Sequence, residues 1–138
     1  MVEHLSNGAI DVIVSDHAPH DQDSKRVPFS QAADGIVGLE TMFPLSMELY
    51  HNGRLSLLDL LAKITINPAK LIGLQAGELK KGSAADLTLF DPDAPWTIKV
   101  ADLKSKSQNA PYDGRPVQGQ ILRTWVNGRL AFSLDPES

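Results

Sequence analysis

The spacing of apolar positions changes character twice along the chain. Val12-Ile13-Val14 is a short, continuous, β-branched run that ends at the polar cluster Ser15-Asp16-His17-Ala18-Pro19-His20. Such a run predicts a strand buried on both faces, as in a parallel sheet. Before it, Val2 and Leu5 share one helical face and Asn7-Gly8 is a helix stop, so the chain enters the strand from the tail of a helix. Residues 21–34 are polar and carry Pro28, which predicts a long loop, and long ordered loops are uncommon unless functional. Gly35-Ile36-Val37-Gly38 is a glycine-flanked turn into a helix whose apolar stripe is Met42, Leu45, Leu49 and Tyr50. Glu40 is expected in its first turn, where the dipole favours a negative charge, and Pro44 costs little if it falls in that turn but kinks the helix if deeper. Asn52-Gly53 closes that helix. Ser56, with Asp59 three residues on, comes close to a capping box for the helix carrying Leu57, Leu58, Leu60, Leu61 and Ile64. Asn67-Pro68 opens a further short helix over 69–72.

After Gly77 the period falls to two. Residues 85–90 and 96–100 alternate like strands around a turn at 91–95, and 118–126 and 129–134 flank Asn127-Gly128, a strong hairpin signal. The order is strand, helices, then antiparallel strands, an α/β arrangement with a boundary between 74 and 77. A chain of 138 residues is long enough for one core. It falls short of the ~250 residues of a (β/α)8 barrel. A domain that starts with half an element also predicts that upstream chain is missing.

Composition narrows the function classes. Thirteen basic and seventeen acidic residues give a net charge of −4, with no Lys/Arg cluster to grip nucleic acid. Without cysteine there is no disulfide and no thiolate nucleophile or ligand. No apolar run nears the ~18 residues of a membrane span, and the first residues do not read as a signal peptide. The expectation is a soluble cytoplasmic protein that binds neither nucleic acid nor membrane.

Asp16 is the foremost candidate for chemistry. A carboxylate at a strand end can ligate a metal ion and can take and return a proton. It can equally cap a turn, and position alone leaves both readings open. His20 can hold a carboxylate, or be a solvated loop histidine. Gly35 allows a ligand to approach its backbone closely. His17 reads as a packing residue. Asn67-Pro68, Asp86 and Asp113-Gly114-Arg115-Pro116 read as turns and caps, and His51 as a helix-end residue.

Ser15 to His20, the stretch PFSQAADGIVGLET at 28–41, Asn67-Pro68-Ala69, GSAADL at 82–87 and SKSQNAPYDG at 105–114 together resemble the dihydroorotases, within the amidohydrolase superfamily. The resemblance covers nearly the whole chain but only the C-terminal part of the family's usual length. It implies that residues 1–74 are the last strand, active-site loop and helices of a (β/α)8 TIM barrel. Residues 75–138 would then be the C-terminal strands of a small composite β-sandwich, the whole being incomplete as an isolated chain. It further implies that Asp16 contacts the metal centre and transfers the proton, that His20 takes the substrate carboxylate, and that Asp34 and Gly35 touch substrate through their backbones. Asp34 departs from the pattern, since family members usually place an aromatic there.

The implied cofactor is zinc, one or two ions in the intact enzyme. The family's H-x-H pair, carboxylated lysine and two further histidines have no counterpart here, so the chain alone is expected neither to retain zinc nor to be active. The implied reaction, in pyrimidine biosynthesis, interconverts L-dihydroorotate and N-carbamoyl-L-aspartate. Two other readings remain open: another cyclic amidohydrolase such as a hydantoinase or allantoinase, and a non-catalytic dihydroorotase-like subunit that supports aspartate transcarbamoylase. An unpaired barrel strand also makes a homo-oligomer an expectation.

Overall fold

Five helices precede a three-stranded antiparallel sheet in the computed structural model, which describes residues 1–135; the last three positions of the 75–138 unit lie outside them. The helices are α1 (Val2–Ser6), α2 (Gln22–Lys25), α3 (Met42–His51), α4 (Leu57–Ile64) and α5 (Ile66–Leu71). The strands are β1 (Leu87–Thr97), β2 (Pro116–Val126) and β3 (Arg129–Ser133), in the order β1-β2-β3. Among the described residues no helix is long and apolar enough to cross a membrane.

Local chemistry explains most of these boundaries. The Ser56 hydroxyl accepts the Asp59 N–H at 3.2 Å and donates to the Asp59 carboxylate at 2.6 Å, which fixes the start of α4. Pro44 lies in the first turn of α3, where its missing N–H costs nothing. Asn127 and Gly128 both adopt positive φ, 49° and 75°, as the tight β2–β3 hairpin requires.

The core lies where α3 meets β2. Met47 is fully buried against Gly119, the Phe43 and Phe90 rings meet edge to face at 5.0 Å, and Arg115 pairs with Glu48 at 2.7 Å. The Trp96 indole N–H donates to the Gly119 carbonyl at 2.9 Å, tying β1 to the same place. Among the described residues few apolar side chains are buried: Val37, Pro44, Met47, Leu60, Ala69, Ile98 and Val117. Leu58, Leu71, Ile72, Leu79, Leu89 and Leu130 are exposed, a large apolar surface for a chain of this size.

Four expectations are corrected. Residues 12–14 form no ladder and are not buried on both faces: Val14 is 69% exposed. A strand is defined by its neighbours, and here the stretch around Ile13 bonds to α4 and α5. The Ile13 N–H donates to the Lys63 carbonyl, the buried Lys63 ammonium to the Ile10 carbonyl, and the Asn67 amide to the Asp11 carbonyl. The loop at 21–34 contains α2 and a 3₁₀ turn at Phe29–Gln31. Residues 91–95 do not separate two strands. Asp91 accepts the N–H groups of Asp93 and Ala94, as in an Asx turn, yet β1 runs through as an irregularity in register with β2, ending at Thr97. Glu40 lies before α3, and its carboxylate accepts the N–H groups of Lys104 and Ser105. In addition, α5 begins at Ile66, so Asn67-Pro68 falls inside its first turn.

Candidate active site

The site is built from two segments that the chain brings side by side, 15–20 and 35–38. His17 pairs with Ile36 in a parallel bridge, and the Ala18 N–H donates to the Ile36 carbonyl at 2.8 Å. His17 Nδ1 accepts the Gly38 N–H at 3.1 Å. That bond uses Nδ1 as an acceptor, the role it has in the tautomer with the ring hydrogen on Nε2. A side chain at Gly38 would put a Cβ 2.7 Å from the Ser15 carbonyl oxygen, so the close approach needs glycine. Gly35 adopts φ +96°, and a Cβ there would stand 2.5 Å from the Ala18 Cβ.

Asp16 sits between Ser15, which lies close against Gly38, and His17, which is bonded to it. Its φ is 44°, a left-handed conformation that Asp and Asn tolerate better than most residues. The side chain is exposed and its carboxylate makes no hydrogen bond within the described residues. Asp16 is thus presented outward by a constrained backbone, and the turn-capping reading does not apply.

His20 is half-buried, and its N–H donates to Asn109 Oδ1 at 3.2 Å. Asn109 Nδ2 donates in turn to the carbonyls of Ala18 at 2.9 Å and Gly35 at 3.3 Å, while its own carbonyl accepts the Val37 N–H at 3.3 Å. The backbones of His20 and Gly35 are therefore held together. The Asp34 side chain is exposed. Lys25 on α2 donates to the carbonyls of Ala33 and Gly35, folding the 21–34 loop back onto the site. Asn109 and Lys25 were absent from the sequence-based site. Asn109 falls in the SKSQNAPYDG stretch, but no spacing ties it to residues some ninety positions earlier.

The start of α2 titrates. The Asp21 carboxyl is held below its ordinary value of 3.8, first by the Ser24 backbone N–H at 2.8 Å and also by the Ser24 hydroxyl. A depressed folded-state pKa means the cap contributes above the unfolded value and is lost as pH falls through the folded one. The Asp21–Ser24 cap is expected to be intact at neutral pH and to loosen progressively at pH below 3.8. An NMR acid titration of the Ser24 amide checks this, and an invariant shift through that range would refute it.

Among the described residues no three His, Asp or Glu side chains converge to hold a metal ion. Asp16 offers one carboxylate, and His17 Nδ1 is already engaged. This donor set does not fit a divalent ion by itself. An open groove of about 520 Å³ lies elsewhere, lined by residues including Glu48, His51, Trp96 and Gln118 and by none of the site residues above.

An exposed carboxylate on a constrained turn, beside a glycine-rich loop that closes on it, suits hydrolytic proton transfer. The chain belongs to the amidohydrolase family, whose model, described as "Amidohydrolase family", matches residues 1–131. Within that family it is similar to the dihydroorotase of Wolbachia sp. subsp. Drosophila simulans (strain wRi), 53% identical over 133 residues, which cover 96% of this chain and 30% of that protein. The dihydroorotase of Ehrlichia canis (strain Jake) is 51% identical over the same shares. Among solved structures, the L-hydantoinase (dihydropyrimidinase) from Arthrobacter aurescens superposes with a TM-score of 0.89 at 36% identity, over 96% of this chain and 31% of that one. The chain spans about 30% of the length of the curated relatives it matches.

Proposed function

We propose that these residues are the Asp16-bearing part of a dihydroorotase that interconverts L-dihydroorotate and N-carbamoyl-L-aspartate. The observation that carries the reading is the 53% identity to a dihydroorotase across 96% of the chain. Residues 1–74 are the last strand, active-site loop and helices of a (β/α)8 barrel, and 75–138 part of a β-sandwich that other chain completes. The exposed apolar side chains on α4, β1 and β3 fit surfaces that such chain covers. The longer protein acts in the cytoplasm.

In the hydrolytic direction, water adds to the ring carbonyl and the ring C–N bond breaks. Asp16 takes the proton that water gives up and returns it to the departing ring nitrogen, so a single carboxylate serves as base and then as acid. His20 receives the substrate carboxylate, and the backbone at Asp34 and Gly35 contacts the ring. The zinc that the family resemblance implies needs ligands beyond these residues.

The test is an assay of the 138-residue chain and of a longer polypeptide containing it, against dihydroorotate, hydantoin and allantoin. Turnover of dihydroorotate by the longer polypeptide, and none by the short chain, is the expected result. A preference for hydantoin would replace this reading with the one that the L-hydantoinase superposition favours. No turnover by the longer polypeptide, together with co-purification of aspartate transcarbamoylase, would replace it with a scaffolding role.

A further inference from the structure

We infer that Asn109 is a positioning residue for substrate binding, a clip that sets the distance between the His20 and Gly35 backbones. The inference rests on the proposed reading for what those backbones contact, and on geometry alone for the clip itself. A primary amide has two donor hydrogens and an acceptor oxygen. Here the Nδ2 hydrogens go to Ala18 O and Gly35 O, on different segments, and Oδ1 takes the His20 N–H. One side chain thus engages backbone groups on both sides of the gap where substrate is held.

The stretch that supplies Asn109 is itself anchored. Glu40 accepts the N–H groups of Lys104 and Ser105, and the Asn109 carbonyl accepts the Val37 N–H. Asn109 is therefore offered from a tethered strap, not from a free loop. None of its side-chain bonds reaches Asp16 or the residues flanking it directly, Ser15 and His17. Its loss should spread the binding groups while leaving the proton-transfer group in place.

No other side chain of similar size reproduces this pattern. Aspartate keeps the acceptor for His20 but turns an oxygen toward two carbonyls, and leucine keeps the shape and loses every polar contact. Hydrogen bonds that leave part-buried partners unmet cost on the order of tenfold in affinity.

The experiment compares Asn109→Asp and Asn109→Leu with the unaltered longer polypeptide. KM for dihydroorotate is expected to rise about tenfold or more in both variants, with kcat within about threefold, while the unmet backbone groups lower the unfolding midpoint without abolishing the folded state. A purely structural role would lower kcat and the folded fraction together, and an unchanged KM would overturn the inference. Amide exchange at His20 gives a second readout that needs no activity. It should accelerate about tenfold in Asn109→Leu but not in Asn109→Asp, which retains the acceptor. Equal His20 exchange in both variants and the parent overturns the clip. A parent that fails to turn over dihydroorotate while showing the exchange difference overturns the proposed function and leaves the clip standing.

Discussion

Asp16→Asn in the longer polypeptide is expected to lower kcat about 10²–10⁴-fold, the usual contribution of a positioned general acid–base group. KM and stability should stay near those of the parent. The choice of asparagine follows from the backbone. At φ 44° most side chains are strained by about 1–2 kcal/mol, and Asn is among the few that visit this region routinely. The exposed carboxylate makes no hydrogen bond within the described residues, so replacing it with an amide leaves no buried partner unmatched. Asp16→Ala should lose activity to a similar degree but also lose about 1 kcal/mol of stability, because alanine fits the left-handed region less well. The difference between the two variants thus separates chemistry from backbone strain. Steady-state kinetics and urea unfolding of both check it, and retention of more than a tenth of the parent kcat in Asp16→Asn would falsify the role given to this carboxylate.

Features set by a few adjacent residues were legible before any coordinates. Asn127-Gly128 specified the hairpin because both positions need positive φ, and Ser56 with Asp59 specified the start of α4 because a hydroxyl three residues before an N–H can reach it. The sequence reading of Gly35, room for a ligand at its backbone, is a different matter from the contact seen here, where a side chain at 35 would meet Ala18.

Features that depend on a partner far along the chain were not. Val12–Val14 has strand composition, but composition cannot supply the ladder, and beside this run lie the Lys63 carbonyl and ammonium instead. Residues 91–95 read as a turn between strands, and the Asp91 carboxylate does accept the Asp93 and Ala94 N–H groups, but β1 continues through them. Whether such a turn ends a strand or only bulges it depends on pairing with β2, which local sequence does not encode. Glu40 looked like a residue for a helix dipole because only its own neighbourhood was visible, whereas its partners are Lys104 and Ser105. Asn109 is the extreme case: its bonds to Ala18, His20 and Gly35 give a polar side chain in a loop its whole significance.

Gly35→Ala should be a damaging single-methyl change near the site, at about 2–5 kcal/mol. Two costs combine. An L side chain at φ +96° is strained by roughly 1–2 kcal/mol, and a Cβ placed 2.5 Å from the Ala18 Cβ forces the two segments apart at a further ~1–3 kcal/mol. The separation falls on the backbone that Asn109 and Lys25 hold, so the Gly35 carbonyl should lose both donors and the binding groups should move with it. Ala18→Gly removes the atom that is struck and leaves the φ cost, which makes the pair a double-mutant cycle. In urea unfolding, Gly35→Ala should be partly rescued by Ala18→Gly, with a coupling of about 1–3 kcal/mol and a residual loss of about 1–2. Additive effects would mean that residues 18 and 35 do not meet, and the closure of the 35–38 segment over the Asp16 turn would then have to be abandoned. A full rescue would instead place the entire cost in the contact and show that the left-handed backbone at 35 follows from the close approach of Ala18.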